Sequence, residues 1–455
     1  MKTLLLNPPA AFAGKFVSRE QCGIGLVEDR FLPSELFLTA AYLHQAGHDV
    51  EARDLEDGDL DFSPYQVAVV WVSILHTFHQ DIDWLRRAKE SGCRTVMILN
   101  DPHQDFEVAT LQRYPFIDAA VRLWERELSL SMLLFSWARG RRPDYPGLIF
   151  RDHGGLADTG LHGWLEDLRH LPSCAPLLRQ QPLHRYRAVG ITPGRGCTAG
   201  CSFCLYANTR QRKRRLADVL AEVEAVAGQV PLIFLLDPDL PSTREWTTAF
   251  CTALIKEKIP IRWRADLRPE DADPSVLRLF RESGCEYVLV AVETLDPQIR
   301  DKIGAGQTPE ELRAAIRTIR QAGIKPVLFF YIGMPWDSAQ SLEKIKQFLQ
   351  AEPVASFYLK QVRPWPGSRL HADFRSLGLL PKELAPSDFV DSGSPLCPTQ
   401  HLSIEALEDW KKRIGRAAIL RPAYLWQFLK ERRLQARHVV QFVSLLFGQN
   451  IFRGK

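Results

Sequence analysis

The chain has 455 residues, long enough for two or three domains with sizeable cores, and its 45% hydrophobic, 25% charged composition is that of an ordinary globular protein. A net charge of +4 over this length makes no case for nucleic acid or a membrane surface, and no segment reaches the ~18 consecutive apolar residues of a membrane span. Nine scattered cysteines, an odd number, point to a reduced, cytoplasmic protein, and the opening Met1-Lys-Thr-Leu-Leu-Leu-Asn-Pro-Pro9 is too short an apolar run for a signal peptide.

Residues 1–140 alternate short apolar runs with helical patterns. Leu4–Leu6, Val50–Asp54, Val67–Val72, Thr95–Leu99 and Asp118–Val121 read as strands. Leu36–Gln45, Ile82–Ser91 and the stretch near Glu125–Trp137 read as helices, the first two closed by Gly47 and Gly92. This alternation predicts a parallel sheet covered on both faces, in a doubly wound, flavodoxin-like α/β domain that takes ligands at the carboxyl ends of its strands. Residues 141–187 are dense in Pro and Gly and read as a linker with little regular structure, docked through Leu168–Leu171 and Leu177–Leu178.

The βα rhythm resumes over residues 188–371. Strands are predicted at Ala188–Thr192, Leu232–Leu236, Ile261–Ala265, Tyr287–Val292, Pro326–Ile332 and Ser356–Gln361. Helices fall between them at Leu216–Ala227, Arg244–Lys256, Pro274–Ser283, Pro309–Gln321 and Ser338–Gln350. Six βα units predict a partial (β/α)6 TIM-like barrel, whose chemistry belongs at the C-terminal ends of its strands. Residues 372–455 read as a C-terminal helical region. Within it Ile404–Leu420 has helical spacing, and Tyr424–Leu446 interleaves apolar residues with Lys430, Arg432, Arg433 and Arg437. That stretch is either a helical cap with a solvated basic face or a face for a membrane or an anionic substrate.

The run Gly196-Cys197-Thr-Ala-Gly-Cys201-Ser-Phe-Cys204 follows the first of these six strands. Three thiolates spaced C-x₃-C-x₂-C can hold three irons of a [4Fe–4S] cube and leave the fourth open to a small molecule, whereas electron-transfer clusters usually take four cysteines. Phe203 between the last two cysteines would shield such a cluster. Zinc is the rival reading, but it needs a fourth ligand, and no Cys or His lies within a dozen residues after Cys204. Three unligated thiols are the other rival.

This motif, followed by a βα series, resembles the radical S-adenosylmethionine (SAM) enzymes. The resemblance implies that the open iron chelates SAM, that an electron from the cluster cleaves a C–S bond to release a 5′-deoxyadenosyl radical, and that a flavodoxin- or ferredoxin-like donor supplies that electron. It also lends roles to the strand ends. Asp237 and Asp239, in Phe234-Leu-Leu-Asp237-Pro-Asp239, match an acidic end to the second strand and can meet the SAM ammonium or substrate, or cap the following helix. Glu293 ends the apolar fourth strand in Ala291-Val-Glu293, where the family commonly has Gly-Val-Glu, and is placed to accept the ribose hydroxyls. Ile332-Gly333-Met334-Pro335 resembles the Gly-Leu-Pro ending whose backbone meets the adenine, although Gly-x-Pro also makes a plain strand-to-helix turn. Arg264, Asp266 and Arg268 can bind a carboxylate of SAM or substrate, or form a surface ion-pair network, and Trp365 can wall the pocket or close the barrel.

The N-terminal region matches too. Leu5-Leu-Asn-Pro-Pro9, Ala40-Ala-Tyr-Leu-His-Gln-Ala-Gly47 and the Pro102-His103 loop resemble the cobalamin-binding domain of B12-dependent radical SAM enzymes, in the bacteriochlorophyll cyclase and P-methylase branch. His103 is the cofactor-side candidate. Its loop reads Asn100-Asp-Pro-His103 where the family has Gly-Gly-Pro-His, and it lacks the later Gly of a cobalt-ligating motif, so it reads as a loop residue rather than a cobalt ligand. A Gly-rich Arg-Gly-Glu-Gly-Glu turn is replaced by Arg122-Leu-Trp-Glu-Arg126. The implied enzyme carries [4Fe–4S], SAM and cobalamin and methylates an unactivated carbon of a small molecule. The alternatives are a radical cyclase, rearrangement or oxidation enzyme with a relic cobalamin domain, and a non-catalytic cluster-binding sensor.

Overall fold

The structure, a computed structural model, describes residues 1–9, 11–12, 15–16, 31–55, 58–73, 77–99, 106–122, 125–161, 165, 167–352, 356–381, 384, 386–389 and 395–421. His103, its neighbours Asn100 and Asp101, and the basic stretch Tyr424–Leu446 lie outside these residues.

Two seven-stranded sheets carry the described chain. In the first, Thr3–Asn7 lies between Val50–Asp54 and Val67–Val72, followed outward by Arg94–Leu99 and Ala119–Val121, all parallel. In chain order of these five strands that is the flavodoxin arrangement 2-1-3-4-5, with its switch point between Thr3–Asn7 and Val67–Val72. Both strands at the switch point are buried throughout, which is why they read as unbroken apolar runs. Helices Ser34–Gln45, Phe78–Glu90 and Arg126–Ala138 cover the faces, and a further helix, Phe106–Arg113, was not evident from the pattern.

The Pro- and Gly-rich stretch after residue 140 differs from its expectation. Leu148–Asp152 and Gly155–Asp158 form an antiparallel hairpin that extends the first sheet beyond Ala119–Val121. Its two-residue turn, His153-Gly154, has both φ angles positive, 42° and 88°, the signature of a type I′ turn. His-Gly is an unusual spelling of a turn normally flagged by Asn-Gly or Asp-Gly.

The second sheet holds six parallel barrel strands in chain order: Ala188–Ile191, Leu232–Leu235, Trp263–Leu267, Cys285–Glu293, Lys325–Ile332 and Ser356–Gln361. The third begins two residues later than its apolar pattern suggests, and its pairing with the fourth is irregular at Trp263–Arg264. Helices pack outside. Trp263 meets Phe250 and Phe280, and Phe330 meets Phe348. The short strand Phe31–Leu32, from the N-terminal region, pairs with the first barrel strand and forms one edge of the open sheet. The helix Ile404–Ile419 closes the described chain, as its spacing predicts, and its Leu407 lies behind Gly333.

Candidate active site

The first barrel strand delivers the cysteine run to the C-terminal rim. Gly194–Arg195 then pairs antiparallel with Arg212–Lys213, so the loop between them is pinched at its base. Gly196 makes this possible. Its φ is +97°, and a Cβ there would sit 2.1 Å from the Arg210 carbonyl oxygen. Within the loop, the Thr209 amide donates to the Cys197 carbonyl (2.9 Å), the Cys197 amide to Thr209 Oγ1 (2.9 Å), and the Asn208 amide to the Ala199 carbonyl (2.8 Å).

Three neighbours brace the loop from outside. Asp239 Oδ2 accepts from the Thr198 amide (2.9 Å) and hydroxyl (2.7 Å). The Ser202 amide donates to the Ile303 carbonyl (2.9 Å), and Gly304 passes close enough to Gly200 that a Cβ would lie 2.8 Å from its carbonyl oxygen. Arg369 donates to that same Gly200 oxygen, and the Leu370 amide donates to the Ser202 carbonyl (2.9 Å). Phe203 stands edge-on to Tyr331, ring centroids 5.1 Å apart.

The chemistry of the three cysteines fits a cationic guest. Cys197 is buried and Cys201 and Cys204 half-buried. Burial, reinforced by Glu293 and the other two cysteines, pushes the Cys201 thiol up to about 12, and burial raises Cys197 as well. Such groups ionise only beside a strong local positive charge, as iron provides. Among the described residues, no three His, Cys, Asp or Glu side chains converge on one point as a single metal ion requires. In a cube each thiolate binds its own iron, so convergence is not needed. The remaining described cysteines, Cys93, Cys174, Cys251, Cys285 and Cys397, are free and buried.

Glu293 is an open acceptor at the end of the fourth strand. It is buried with φ +67°, next to a register irregularity between the fourth and fifth strands. Its Oε2 has no hydrogen-bond partner among the described residues. Burial pushes its carboxyl up to about 8, against the opposing pull of Arg300. Arg300 sets the bend: it donates to the Val292 (2.6 Å) and Thr294 (2.7 Å) carbonyls on either side of Glu293, and to Gln307 O and Oε1 (2.5 and 2.7 Å). No sequence pattern singled out Arg300.

The two aspartates after the second strand are differently engaged. Asp237 accepts from Gln211 Nε2 and Lys213 Nζ, both at 2.6 Å, and Asp239 is held by Thr198 and by Arg268 at 3.0 Å. Their described contacts brace the cysteine loop and its base. Both Asp237 oxygens are engaged, whereas Asp239 Oδ1 has the Arg268 ion contact and no hydrogen-bond partner among the described residues. Gly333 has φ +86°, and its amide and that of Met334 donate to Asp337 Oδ2 (2.9 and 3.0 Å), while the Pro335 carbonyl accepts from Gln400 N (2.9 Å). The amide side of this turn faces protein. Trp365 stacks on Phe389, 5.5 Å between centroids, and Phe389 meets Phe106 beside the first sheet, so Trp365 closes the rim.

A buried ionic seam joins the two sheets, and sequence reasoning missed it. Arg195, two residues before Cys197, makes a bidentate pair with Glu127 (2.7 and 3.0 Å) and reaches Glu35 (3.2 Å). Arg212, opposite it in the ribbon, pairs with Glu125, and Arg126 pairs with Glu35. Glu125 and Glu127 are fully buried at the start of a first-sheet helix.

Residues 191–349 match the family profile described as the Radical SAM superfamily. Residues 191–349 therefore form a radical SAM domain. An uncharacterised methyltransferase of Pyrococcus horikoshii is 25% identical over 81% of this chain and 82% of its own length. The anaerobic magnesium-protoporphyrin IX monomethyl ester cyclase of Rubrivivax gelatinosus is 27% identical over 65% of this chain, which spans 55% of the cyclase. Among solved structures, the radical SAM methyltransferase TsrM of Kitasatospora setae superposes with a TM-score of 0.68 over 93% of this chain and 90% of its own, at 16% identity. The cobalamin-dependent radical SAM enzyme OxsB gives 0.61 over 83% of this chain and 55% of its own, also at 16% identity. The radical SAM domain and the flavodoxin-like sheet therefore adopt the two-sheet fold of those proteins.

Proposed function

We propose that the protein is a cobalamin-dependent radical SAM methyltransferase that methylates an unactivated carbon of a small molecule. The observation that carries this reading is the pairing, through the Arg195 and Arg212 ion pairs, of a three-cysteine loop with a flavodoxin-order sheet. Cys197, Cys201 and Cys204 would hold a [4Fe–4S] cluster, which with SAM would supply radical chemistry, and the first sheet would hold cobalamin, which would supply a transferable methyl group. Glu293 holds the ribose hydroxyls with its unpartnered oxygen. The turn Gly333-Met334-Pro335 lies against the adenine, and Phe203 with Tyr331 keeps water from the cluster. Asp239, Ile303 and Arg369 hold the loop still while the chemistry runs. TsrM and OxsB, whose structures are described with cobalamin and with SAM or its analogue, support the cofactor set, and the methyltransferase of P. horikoshii supports methyl transfer.

Protein purified without oxygen should contain iron and sulfide, show a corrin absorbance after exposure to hydroxocobalamin and gel filtration, and form 5′-deoxyadenosine or S-adenosylhomocysteine with a flavodoxin or chemical reductant. Loss of all corrin on the column would favour the second reading, a radical cyclase or oxidation enzyme, which the 27% identity to the cyclase supports. Absence of both nucleoside products would end the enzymatic reading.

A further inference from the structure

The barrel strands have two faces with different chemistry. Ile233, Leu235, Trp263, Ala265, Val288, Val290, Leu328 and Phe330 belong to the apolar core under the helices. The alternating residues point to the concave side. Phe234, Val327 and Phe329 are buried yet outside that core, and Phe329 contacts Tyr331 and Tyr358. Near the rim of this face the Asp266 side chain is 52% exposed, and along it Leu289, Ala291, Tyr331 and Tyr358 are partly exposed, although helices cover the sheet's outer side. The concave side is thus open space walled by aromatic rings.

A cation stands deep in it. Arg264 lies flat over Phe234, its guanidinium carbon 3.8 Å from the ring centroid, and 5.9 Å from that of Tyr287. Its side chain is 14% exposed. Its Nε has no hydrogen-bond partner among the described residues, and its ion-pair contact to Asp266 is loose, at 3.7 Å. Arg268, four residues on, is by contrast engaged by Asp271 (2.8 Å) and Asp239. A desolvated guanidinium with an idle edge is costly to keep unless an anion completes it, and its planar fork suits a carboxylate.

We infer that the concave face of the barrel binds a substrate that joins a flat aromatic body to a carboxylate, the rings lying among Phe234, Phe329, Tyr331 and Tyr358 and the carboxylate on Arg264. This deepens the radical SAM reading and rests on it. A carboxylate could also come from SAM. Depth decides against that source: Arg264 lies three residues before the end of its strand, about 10 Å below the rim at ~3.3 Å per residue. By register it is level with Tyr287, six residues before Glu293. SAM held at the cysteine loop and Glu293 keeps its own carboxylate at the rim.

The test uses the full chain and a matched pair of fluorescent probes, 3-(2-naphthyl)propionate and its amide. The acid should bind at least tenfold more tightly than the amide. Arg264→Met and Arg264→Gln should erase that preference, and Arg264→Lys should keep part of it. Equal binding of acid and amide, binding of neither, or a preference that survives Arg264→Met overturns the inference. So does an Arg264→Met variant that loses tenfold in SAM affinity while its probe binding is unchanged, which would assign the carboxylate to SAM. Probe binding needs neither cluster nor turnover, so iron content and 5′-deoxyadenosine formation judge the underlying reading separately.

Discussion

At the residue scale, the cysteine loop turns on a position with no room for a side chain. A Cβ at Gly196 meets a backbone carbonyl at 2.1 Å, and the positive φ adds strain of about 1–3 kcal/mol for any other residue. Gly200, four residues on in the same loop, has only Asn208 side-chain atoms near, at 3.5 Å or more. Gly196→Ala should therefore lower iron incorporation on anaerobic reconstitution several-fold, while Gly200→Ala retains it; equal iron in the two would remove the steric argument. Glu293 makes the opposite case, a side chain with too few partners. Glu293→Gln keeps the shape and removes an acceptor oxygen, so SAM affinity should fall at least tenfold by equilibrium binding with iron content unchanged. Arg300→Met should reproduce part of that loss, since the bend at Glu293 depends on its two flanking carbonyls. Unaltered SAM binding in both would show that the carboxylate is idle.

At the scale of elements, most strands and helices were legible because a parallel strand buried on both faces is an unbroken apolar run, and amphipathic helices repeat at 3.6 residues. Thr308 and Ser338 each form a capping box ahead of Pro309–Gln321 and Ala339–Ala351, which fixes where those helices begin. Glu293 was legible as a charge ending an apolar strand. What stayed hidden depends on contacts across the fold. Asp337 is an example. Its carboxylate accepts from the Gly333 and Met334 amides and from Ser341 Oγ (2.6 Å), and its carbonyl accepts from Thr399 Oγ1 (2.8 Å), tying the fifth strand end to the segment before the last helix. Burial outweighs those hydrogen bonds and pushes its carboxyl up to about 6. The unfolded value is near 3.9, so the folded state holds the extra proton between those limits. This group's contribution is full below about pH 4 and declines as pH rises through about 6. Asp337→Asn abolishes that titration. The stability deficit of the variant in urea should hence be larger at pH 5 than at pH 7, and a deficit growing with pH would refute the assignment.

Across the whole molecule, the two sheets meet through charges the sequence does not advertise. Arg195 and Glu127 are 68 positions apart, and neither belongs to a recognisable pattern beyond Arg195's closeness to Cys197. The family-like turn at Arg122–Arg126 departs from its Gly-rich form at that very place. Glu125 stands there with φ +52°, facing Arg212 instead of leaving a flat backbone. The ribbon that pinches the cysteine loop is thus clamped to the first sheet at both strands, so loop and sheet should lose order together. Removing Arg195 leaves the buried Glu127 carboxylate with Arg126 Nε and Thr39 Oγ1, each at 3.4 Å, and breaking a buried pair in this way typically costs about 3–5 kcal/mol. Arg195→Met should show a loss of that order in denaturant unfolding and should also release iron. Pairing it with Glu127→Gln should restore part of the stability, giving a coupling of about 1–3 kcal/mol in a double-mutant cycle. If the two losses simply add, the seam is not a coupled unit. If iron is retained while stability falls, the clamp holds the sheets together without holding the loop.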